Sequence, residues 1–167
     1  MLGAFLTGCA SPLPAPLQSD PPDAPTLQQV LASPERHVGQ SVRWGGVIIR
    51  IETQSDSSLI EVLAKPLDNQ GRPLTVSDAT GRFLSRVTGF LDPLVFQRER
   101  EVTVSGRLGH SQTRTVGDYP YRYPVVEVDS WHLWEPRPTY RTEPPYWYDP
   151  WYPWGYPYPW WRDRPPF

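Results

Sequence analysis

The sequence predicts a small all-β domain built from short antiparallel strands. Residues 26–135 hold only six of the 22 prolines and most of the valine, isoleucine and leucine, so this segment can bury a core. Within it, apolar and polar residues alternate over short runs that glycine, proline and asparagine separate. Alternation of period two between such turn residues is typical of strands, and the segment shows no long helical pattern.

A short helix is predicted at the start of this segment. Thr26 can cap the first turn, with Gln29 in the position of its capping-box partner. The apolar residues within 27–31 have helical spacing, and Pro34 ends the helix.

The first strand is predicted to begin near Val42. Val42 and Trp44 alternate with polar residues, but the apolar positions change phase after Gly45-Gly46. A change of phase at paired glycines predicts a β-bulge or a sharp bend of the strand at that point.

Four further strands are predicted, at residues 60–64, 83–87, 102–108 and 125–133. The second of these is the weakest, because its pattern also fits a helix. The last changes its apolar phase between Val128 and Trp131. Turns are predicted at residues 53–58, at 68–71, at Asp92-Pro93 and at Val116-Gly117-Asp118.

Five or six short strands with glycine-marked bends predict a small antiparallel barrel, and an OB-like barrel is the first choice. A β-sandwich is the second choice. An open sheet is the least favoured arrangement, because it would leave strand edges unprotected.

Length and composition exclude several classes of protein. A chain of 167 residues allows one domain with tails, and a net charge of -2 argues against a nucleic-acid partner. The single cysteine excludes an internal disulfide framework and a cysteine-rich zinc module. No phosphate loop, dinucleotide motif or metal-ligand spacing is present, so no cofactor is predicted.

The prolines divide the chain into four segments. Residues 1–8 are predicted to be the remnant of a signal peptide, and residues 9–25, with many prolines and little to bury, a lipid-anchored extended tether. The barrel domain follows at residues 26–135. Residues 136–167 contain ten prolines and twelve aromatic residues but no valine, isoleucine or leucine, which predicts a low-complexity tail.

The amino terminus carries a lipoprotein signal pattern, Leu6-Thr7-Gly8-Cys9. In this pattern an apolar residue and two small residues precede a cysteine whose thiol receives a diacylglyceryl group. Cleavage before Cys9 would free an amine that is acylated in turn, and several acyl chains hold a protein on a membrane durably. Only eight residues precede Cys9 and none is basic, so we expect the true start of the chain to lie upstream. The alternative is an ordinary free or buried cysteine.

Five segments of the chain, taken together, resemble the Slp family of outer-membrane lipoproteins. They are HVGQSVRWGGVIIRIE (37–52), IEVLAKPLD (60–68), GRFLSRVTGFLDP (81–93), REVTVSGRLGH (100–110) and YPVVEVDSWHLW (123–134). The resemblance implies an acylated, palmitate-bearing Cys9 and a lipid-anchored place in the outer membrane of a Gram-negative bacterium. It further implies a link to starvation and stationary phase, and it carries over no established catalytic activity.

The tail offers a set of aromatic side chains as candidate ligand-binding residues: Tyr146, Trp147, Trp151, Trp154, Trp160 and Trp161. They could stack on the sugar rings of an envelope glycan, or lie among lipid headgroups. A third interpretation is a proline-rich ligand for another protein. The alternative to all three is a low-complexity tail without a ligand, or one that covers the barrel.

Residues for catalysis have weak support. His37, His110 and His132 are scattered, and Glu127 and Asp129 would share one face of the last strand. Two carboxylates at such a spacing could serve a glycosidase, but a polar outer face of the strand is the favoured interpretation. Together with these observations, the resemblance to the Slp family implies a non-enzymatic, lipid-anchored envelope protein that binds or supports an envelope glycan or lipid under stress. The alternatives are a periplasm-facing glycan hydrolase that uses Asp or Glu, and an OB-type oligomer-binding module.

Overall fold

The computed structural model describes residues 13–75 and 78–138 of the chain. Its elements are α1 (Leu27–Ala32), β1 (Ser41–Thr53), β2 (Ser57–Lys65), β3 (Gly81–Thr88), β4 (Glu101–Leu108), β5 (Gln112–Val116), β6 (Tyr119–Tyr123) and β7 (Val125–Leu133). Short 3-10 turns lie at Ala15–Leu17 and Pro34–His37. In this part of the chain, no helix has the length and apolar character needed to span a membrane.

Five strands close into a barrel in the order β1-β2-β3-β7-β4, and β4 pairs back with β1. The β3–β7 pair is parallel and the other pairs are antiparallel. Five strands that close in this order form an OB-like barrel, so the predicted fold class is confirmed. The remaining strands, β5 and β6, form a separate hairpin between β4 and β7.

The predicted helix is present with both halves of its capping box. The Thr26 side chain accepts a hydrogen bond from the Gln29 backbone N–H, while the Gln29 side chain accepts one from the Thr26 backbone. The helix ends at Ala32, two residues before Pro34, as the sequence predicts.

One apolar core fills the barrel, and two different elements seal its ends. Leu27 and Val30 of α1 enter the core at one end, which we call the helix end. Leu91 and Phe96 enter it at the other, where the loop Gly89–Arg100 joins β3 to β4. We call this the loop end.

The strand ladders of β1 and β7 each contain one irregularity. The extra residue in β1 is Ile49, not the predicted glycine pair, while the phase change in β7 is a bulge at Asp129. A side chain at Gly46 would place its Cβ 2.0 Å from the Leu63 carbonyl oxygen. These glycines therefore permit a close approach of strands, and the bulge lies three residues further along.

The hairpin of β5 and β6 was not predicted as strands. Only its turn, Val116-Gly117-Asp118, was expected, and Gly117 has the positive φ of +58° that such a tight turn requires. The described residues of the domain therefore form seven strands, of which five make up the predicted barrel.

Candidate functional site

The residues that the sequence singles out for function lie outside the described part of the chain. They are Cys9 and the tail residues Tyr146, Trp147, Trp151, Trp154, Trp160 and Trp161. Their roles stay predictions. The described residues do define the surface to which both segments are joined.

The segment before α1 packs on the barrel, which differs from the expected extended tether with little to bury. Leu13 and Leu17 are buried in a small apolar cluster with Trp134, the residue that follows β7. Residues Ala15–Leu17 form a 3-10 turn that begins after Pro14. The prolines set up this turn and so turn both leucines towards the same indole ring.

The Trp134 side chain is fixed by a hydrogen bond from its indole N–H and by a cation–π contact on its ring. Its indole N–H donates to Thr103 Oγ1 at 2.9 Å, and that hydroxyl donates to the Gly71 carbonyl at 2.6 Å. The Arg72 guanidinium lies 5.4 Å from the centre of the indole ring, a cation–π contact. The indole is therefore a fixed anchor for the leucines of the amino-terminal segment.

Arg43 of β1 makes a second attachment of this segment. Its Nε donates to Asp20 Oδ1 at 2.7 Å, and its Nη1 donates to the Leu17 carbonyl at 2.9 Å. The Arg43 side chain is largely buried but Asp20 is exposed, so the bond to the Leu17 carbonyl is the more sheltered of the two.

A groove of about 570 Å³ lies between the amino-terminal segment and the helix end of the barrel. Trp44, Leu27 and Leu67 supply apolar walls, and Lys65 and Asp23 are charged residues of its lining. The groove mixes apolar and charged surface without converging polar groups that would define one ligand chemistry. Neither Glu127 nor Asp129 is among its lining residues.

The outer face of β2 and β3 is covered by the β5–β6 hairpin. Leu59 and Leu84 on this face are buried with Tyr123 of the hairpin and Val125. Tyr121 packs edge-on against Tyr123, with ring centres 4.7 Å apart. OB-type barrels commonly bind oligonucleotides and oligosaccharides on this face, which is here occupied by the chain itself.

A buried carboxylate, Glu61, lies at the centre of the covered face. Its Oε1 accepts hydrogen bonds from the Tyr123 hydroxyl at 2.7 Å and from Arg82 at 2.9 Å. Arg50 contacts the other oxygen at 3.3 Å and also contacts Glu52. Glu61 therefore joins the hairpin, through the Tyr123 hydrogen bond, to β1 and β3, through ion pairs with Arg50 and Arg82.

The contacts around Glu61 shift the pKa values of Tyr123 and Arg82. Burial of the phenol, and next its hydrogen bond to Glu61, raise the pKa of Tyr123 above its usual value. Burial alone would lower the pKa of Arg82, but its contacts with Glu61 and Tyr123 outweigh that effect and raise it. Both shifts favour the hydrogen-bonded cluster with a neutral phenol and a charged guanidinium.

Each of the three histidines contacts a neighbouring side chain of the fold. His37 bonds to Gln40, His110 to Glu35, and His132 packs edge-on against Trp134. In residues 13–75 and 78–138, no group of three potential metal ligands is assembled.

Glu127 forms an ion pair with Arg86, and Asp129 is the exposed extra residue of the β7 bulge. Val126 and Val128 pack on the barrel core, so Glu127 and Asp129 lie on the outward side of β7. The arrangement fits the favoured interpretation of polar outer-face residues.

Comparison with known proteins assigns the family. The model of the outer membrane lipoprotein Slp family matches residues 6–161. The uncharacterized lipoprotein YeaY of Escherichia coli is 32% identical, over 97% of this chain and 86% of that protein. The outer membrane protein Slp of the same organism is 28% identical, over 93% and 86%, respectively. An uncharacterized protein of Haemophilus influenzae is 29% identical, over 81% and 73%.

Among solved structures, a small single-stranded DNA-binding protein from Streptomyces coelicolor matches with a TM-score of 0.37 and 11% identity. The match covers 57% of this chain and 94% of that one. This likeness is too weak to bear on ligands, and the fold assignment stands on the strand order. With the family model matching nearly the whole chain, the protein belongs to the Slp family of outer membrane lipoproteins.

Proposed function

We propose that this protein is a non-enzymatic lipoprotein of the outer membrane, anchored by acyl chains on Cys9. The observation that carries the proposal is the family match over residues 6–161, which includes the Leu6-Thr7-Gly8-Cys9 pattern. Two relatives bear the names lipoprotein and outer membrane protein.

The packing of the amino-terminal segment supports a short connection between anchor and barrel. Leu13 is already buried against the domain, and it follows Cys9 by four residues. Because an extended chain spans at most ~3.6 Å per residue, these residues reach roughly 14 Å. Acyl chains on Cys9 would therefore hold this side of the barrel close to the lipid surface.

The two alternatives receive less support from the described residues. A glycan hydrolase needs a carboxylate pair in an accessible site, whereas Glu61 is buried against Arg82, and Glu127 is paired with Arg86. An OB-type binding module needs its outer face free, whereas the β5–β6 hairpin covers that face.

The physiological part of the proposal is support or binding of an envelope glycan or lipid under starvation or stress. The six aromatic tail residues, from Tyr146 to Trp161, are the candidate contacts, since indole and phenol rings stack on sugars and favour the membrane interface. The barrel, which lies between the anchor and the tail in the chain, would then connect the two as a folded domain.

The anchor is tested by fractionating cells that express the chain behind a complete lipoprotein signal peptide, as wild type and as Cys9→Ala. We expect the wild type in the outer-membrane fraction and the variant in the soluble fraction. A Cys9→Ala protein that stays in the membrane to the same extent as wild type would overturn the anchor.

The tail is tested by replacing Trp151, Trp154, Trp160 and Trp161 with Ala in the full chain. Co-sedimentation with purified peptidoglycan and, separately, with lipid vesicles distinguishes the two envelope ligands. We expect a loss of roughly tenfold or more in binding to one of them, since stacking on an aromatic ring contributes about 1–3 kcal/mol. Unchanged binding to both would remove the tail from the proposal.

A further inference from the structure

Large apolar side chains are concentrated at the loop end of the barrel. In the described residues, six large apolar residues are exposed, and four of them lie here: Phe90, Leu94, Val95 and Trp131. Phe90 and Leu94 are 71% and 77% exposed. We call these four residues the apolar tip. Exposed apolar surface gathered in one place marks an interaction site more often than scattered single residues do.

The apolar tip is exposed because the loop buries other residues next to it in the chain. Leu91 and Phe96 enter the core, and Phe96 packs edge-on against Trp131 with ring centres 5.0 Å apart. The residues between them turn around Asp92, whose Oδ1 accepts from the Leu94 N–H at 2.8 Å. Leu91 and Phe96 therefore point into the barrel, while Phe90 and the four residues 92–95 are exposed.

Both ends of the loop are fixed to the barrel. The Ser58 hydroxyl donates to the Gly89 carbonyl at 3.0 Å and accepts from the Leu91 N–H at 2.9 Å. At the other end, the Glu99 N–H donates to the Ile48 carbonyl at 2.9 Å. The tip is therefore preorganised, which reduces the ordering cost of binding a partner.

The apolar tip is adjacent to the start of the described amino-terminal segment. Leu13 is buried against Trp134, and the Trp134 carbonyl accepts a hydrogen bond of 2.8 Å from Arg100, the last residue of the loop. From this observation we propose that the apolar tip inserts into the interface of the lipid bilayer that the protein is anchored to. The inference rests on the proposed lipid anchor, because the anchor brings this side of the barrel to the membrane.

The chemistry of the tip fits a bilayer interface. Phenylalanine, leucine and tryptophan are the residues that surface-bound proteins bury at the boundary of headgroups and acyl chains. The loop carries two arginines, Arg98 and Arg100, against Asp92 and Glu99, so it has no net charge. Its binding to lipid is therefore hydrophobic and insensitive to salt, unlike binding by a basic patch.

The test uses the full chain with Cys9→Ser, which has no acyl group and no other cysteine. Adding Leu94→Cys provides one site for an environment-sensitive fluorophore at the tip. Adding Val38→Cys instead provides a matched control at the helix end, where Val38 is also an exposed apolar residue. Both proteins are mixed with vesicles of phosphatidylethanolamine and phosphatidylglycerol.

We expect the emission of the Leu94 label to rise several-fold, shift to shorter wavelength and stay unchanged when salt is added. The Val38 label should not respond. The aromatic tail is identical in both proteins, so it cannot produce a difference between the two labels. Equal responses at both sites, no response at Leu94, or a Leu94 response without vesicles through self-association would each overturn the proposal.

A second measurement removes the apolar surface without a label. Phe90→Ser combined with Leu94→Ser should lower vesicle co-sedimentation of the Cys9→Ser chain several-fold. Tyr119→Ser, which removes an exposed aromatic ring at the hairpin, should leave it unchanged. Because neither protein is acylated, failure here leaves the anchor on Cys9 standing, and failure of the anchor shows separately in the cell fractionation.

Discussion

Both ends of the barrel are closed by buried apolar side chains, but a helix supplies them at one end and a loop at the other. At the helix end, α1 contributes Leu27 and Val30 to the core. At the loop end, the irregular segment Gly89–Arg100 contributes Leu91 and Phe96. Each end is thus closed by two apolar residues that are almost fully buried.

The outward surfaces of the two ends are unlike. The helix end presents polar side chains such as Gln28, Glu35 and Arg36, whereas the loop end presents Phe90 and Leu94. Val38 is the exposed large apolar residue described at the helix end, so closing the barrel does not require a cluster of exposed apolar residues. The apolar tip therefore serves something other than the stability of the fold.

The largest expected effect on stability is at the buried side of the loop end. Phe96→Ala should lower the free energy of unfolding by about 3–5 kcal/mol, because it empties a buried aromatic site and removes the contact with Trp131. Urea denaturation gives the value. Phe90→Ala is the matched control, and its change should stay within about 0.5 kcal/mol. Equal losses in the two variants would mean that Phe96 does not seal the loop end.

The corresponding change at the helix end is Leu27→Ala. We expect a loss of about 2–4 kcal/mol in the free energy of unfolding, since Leu27 is buried in the same core. The exposed Arg36→Ala serves as the control and should change little. If Leu27→Ala were as mild as Arg36→Ala, α1 would not close the barrel and the comparison of the two ends would fail.

A smaller effect is expected from the cap of α1. Thr26→Ala removes the side chain that accepts from the Gln29 N–H and should cost about 1 kcal/mol of stability. Thr26→Ser keeps the hydroxyl and should recover most of that loss. The same thermal or urea unfolding curves measure both variants, and equal stability of the two would rule out a contribution from the cap.

The smallest effect concerns His132, near the loop end. Burial, and next the charge of Arg72, lower the pKa of His132 in the folded protein. The unfolded chain, with a histidine pKa of about 6.5, therefore binds the proton first as pH falls. The stabilisation that neutral His132 contributes is therefore fully present above pH ~6.5. It is lost as the pH falls through the pKa that His132 has in the folded protein.

In the wild type, the urea concentration at the unfolding midpoint should fall between neutral and mildly acidic pH. His132→Gln should make this fall smaller. His37→Gln is the control and should leave that slope in place, since the fall is assigned to His132. A slope that is identical in wild type and His132→Gln would contradict the assignment.

The sequence predicts those parts of the fold that short-range patterns determine. The capping box at Thr26 and Gln29, the strand β4 and the turn at Asp92 depend on residues a few positions apart, and all three are present. The change of phase in β7 is likewise visible in the sequence and is a bulge at Asp129.

The parts that the sequence did not predict depend on distant contacts. β3 could not be told from a helix because Phe83 and Leu84 are both buried, the second of them under a hairpin from another part of the chain. Leu13 and Leu17 look isolated among prolines until Trp134, at the far end of the domain, comes next to them. Likewise, the pattern of residues 90–96 does not show which apolar residues face the core and which face outward.

The central claim is that Cys9 carries the lipid that holds this protein on the outer membrane. The intact mass of the mature chain, purified from membranes after expression behind a complete lipoprotein signal peptide, tests it most directly. We predict a chain that begins at Cys9 and is heavier by its acyl groups, with no such species from Cys9→Ala. A mature chain that retains the residues before Cys9, with an unmodified thiol, would contradict the account.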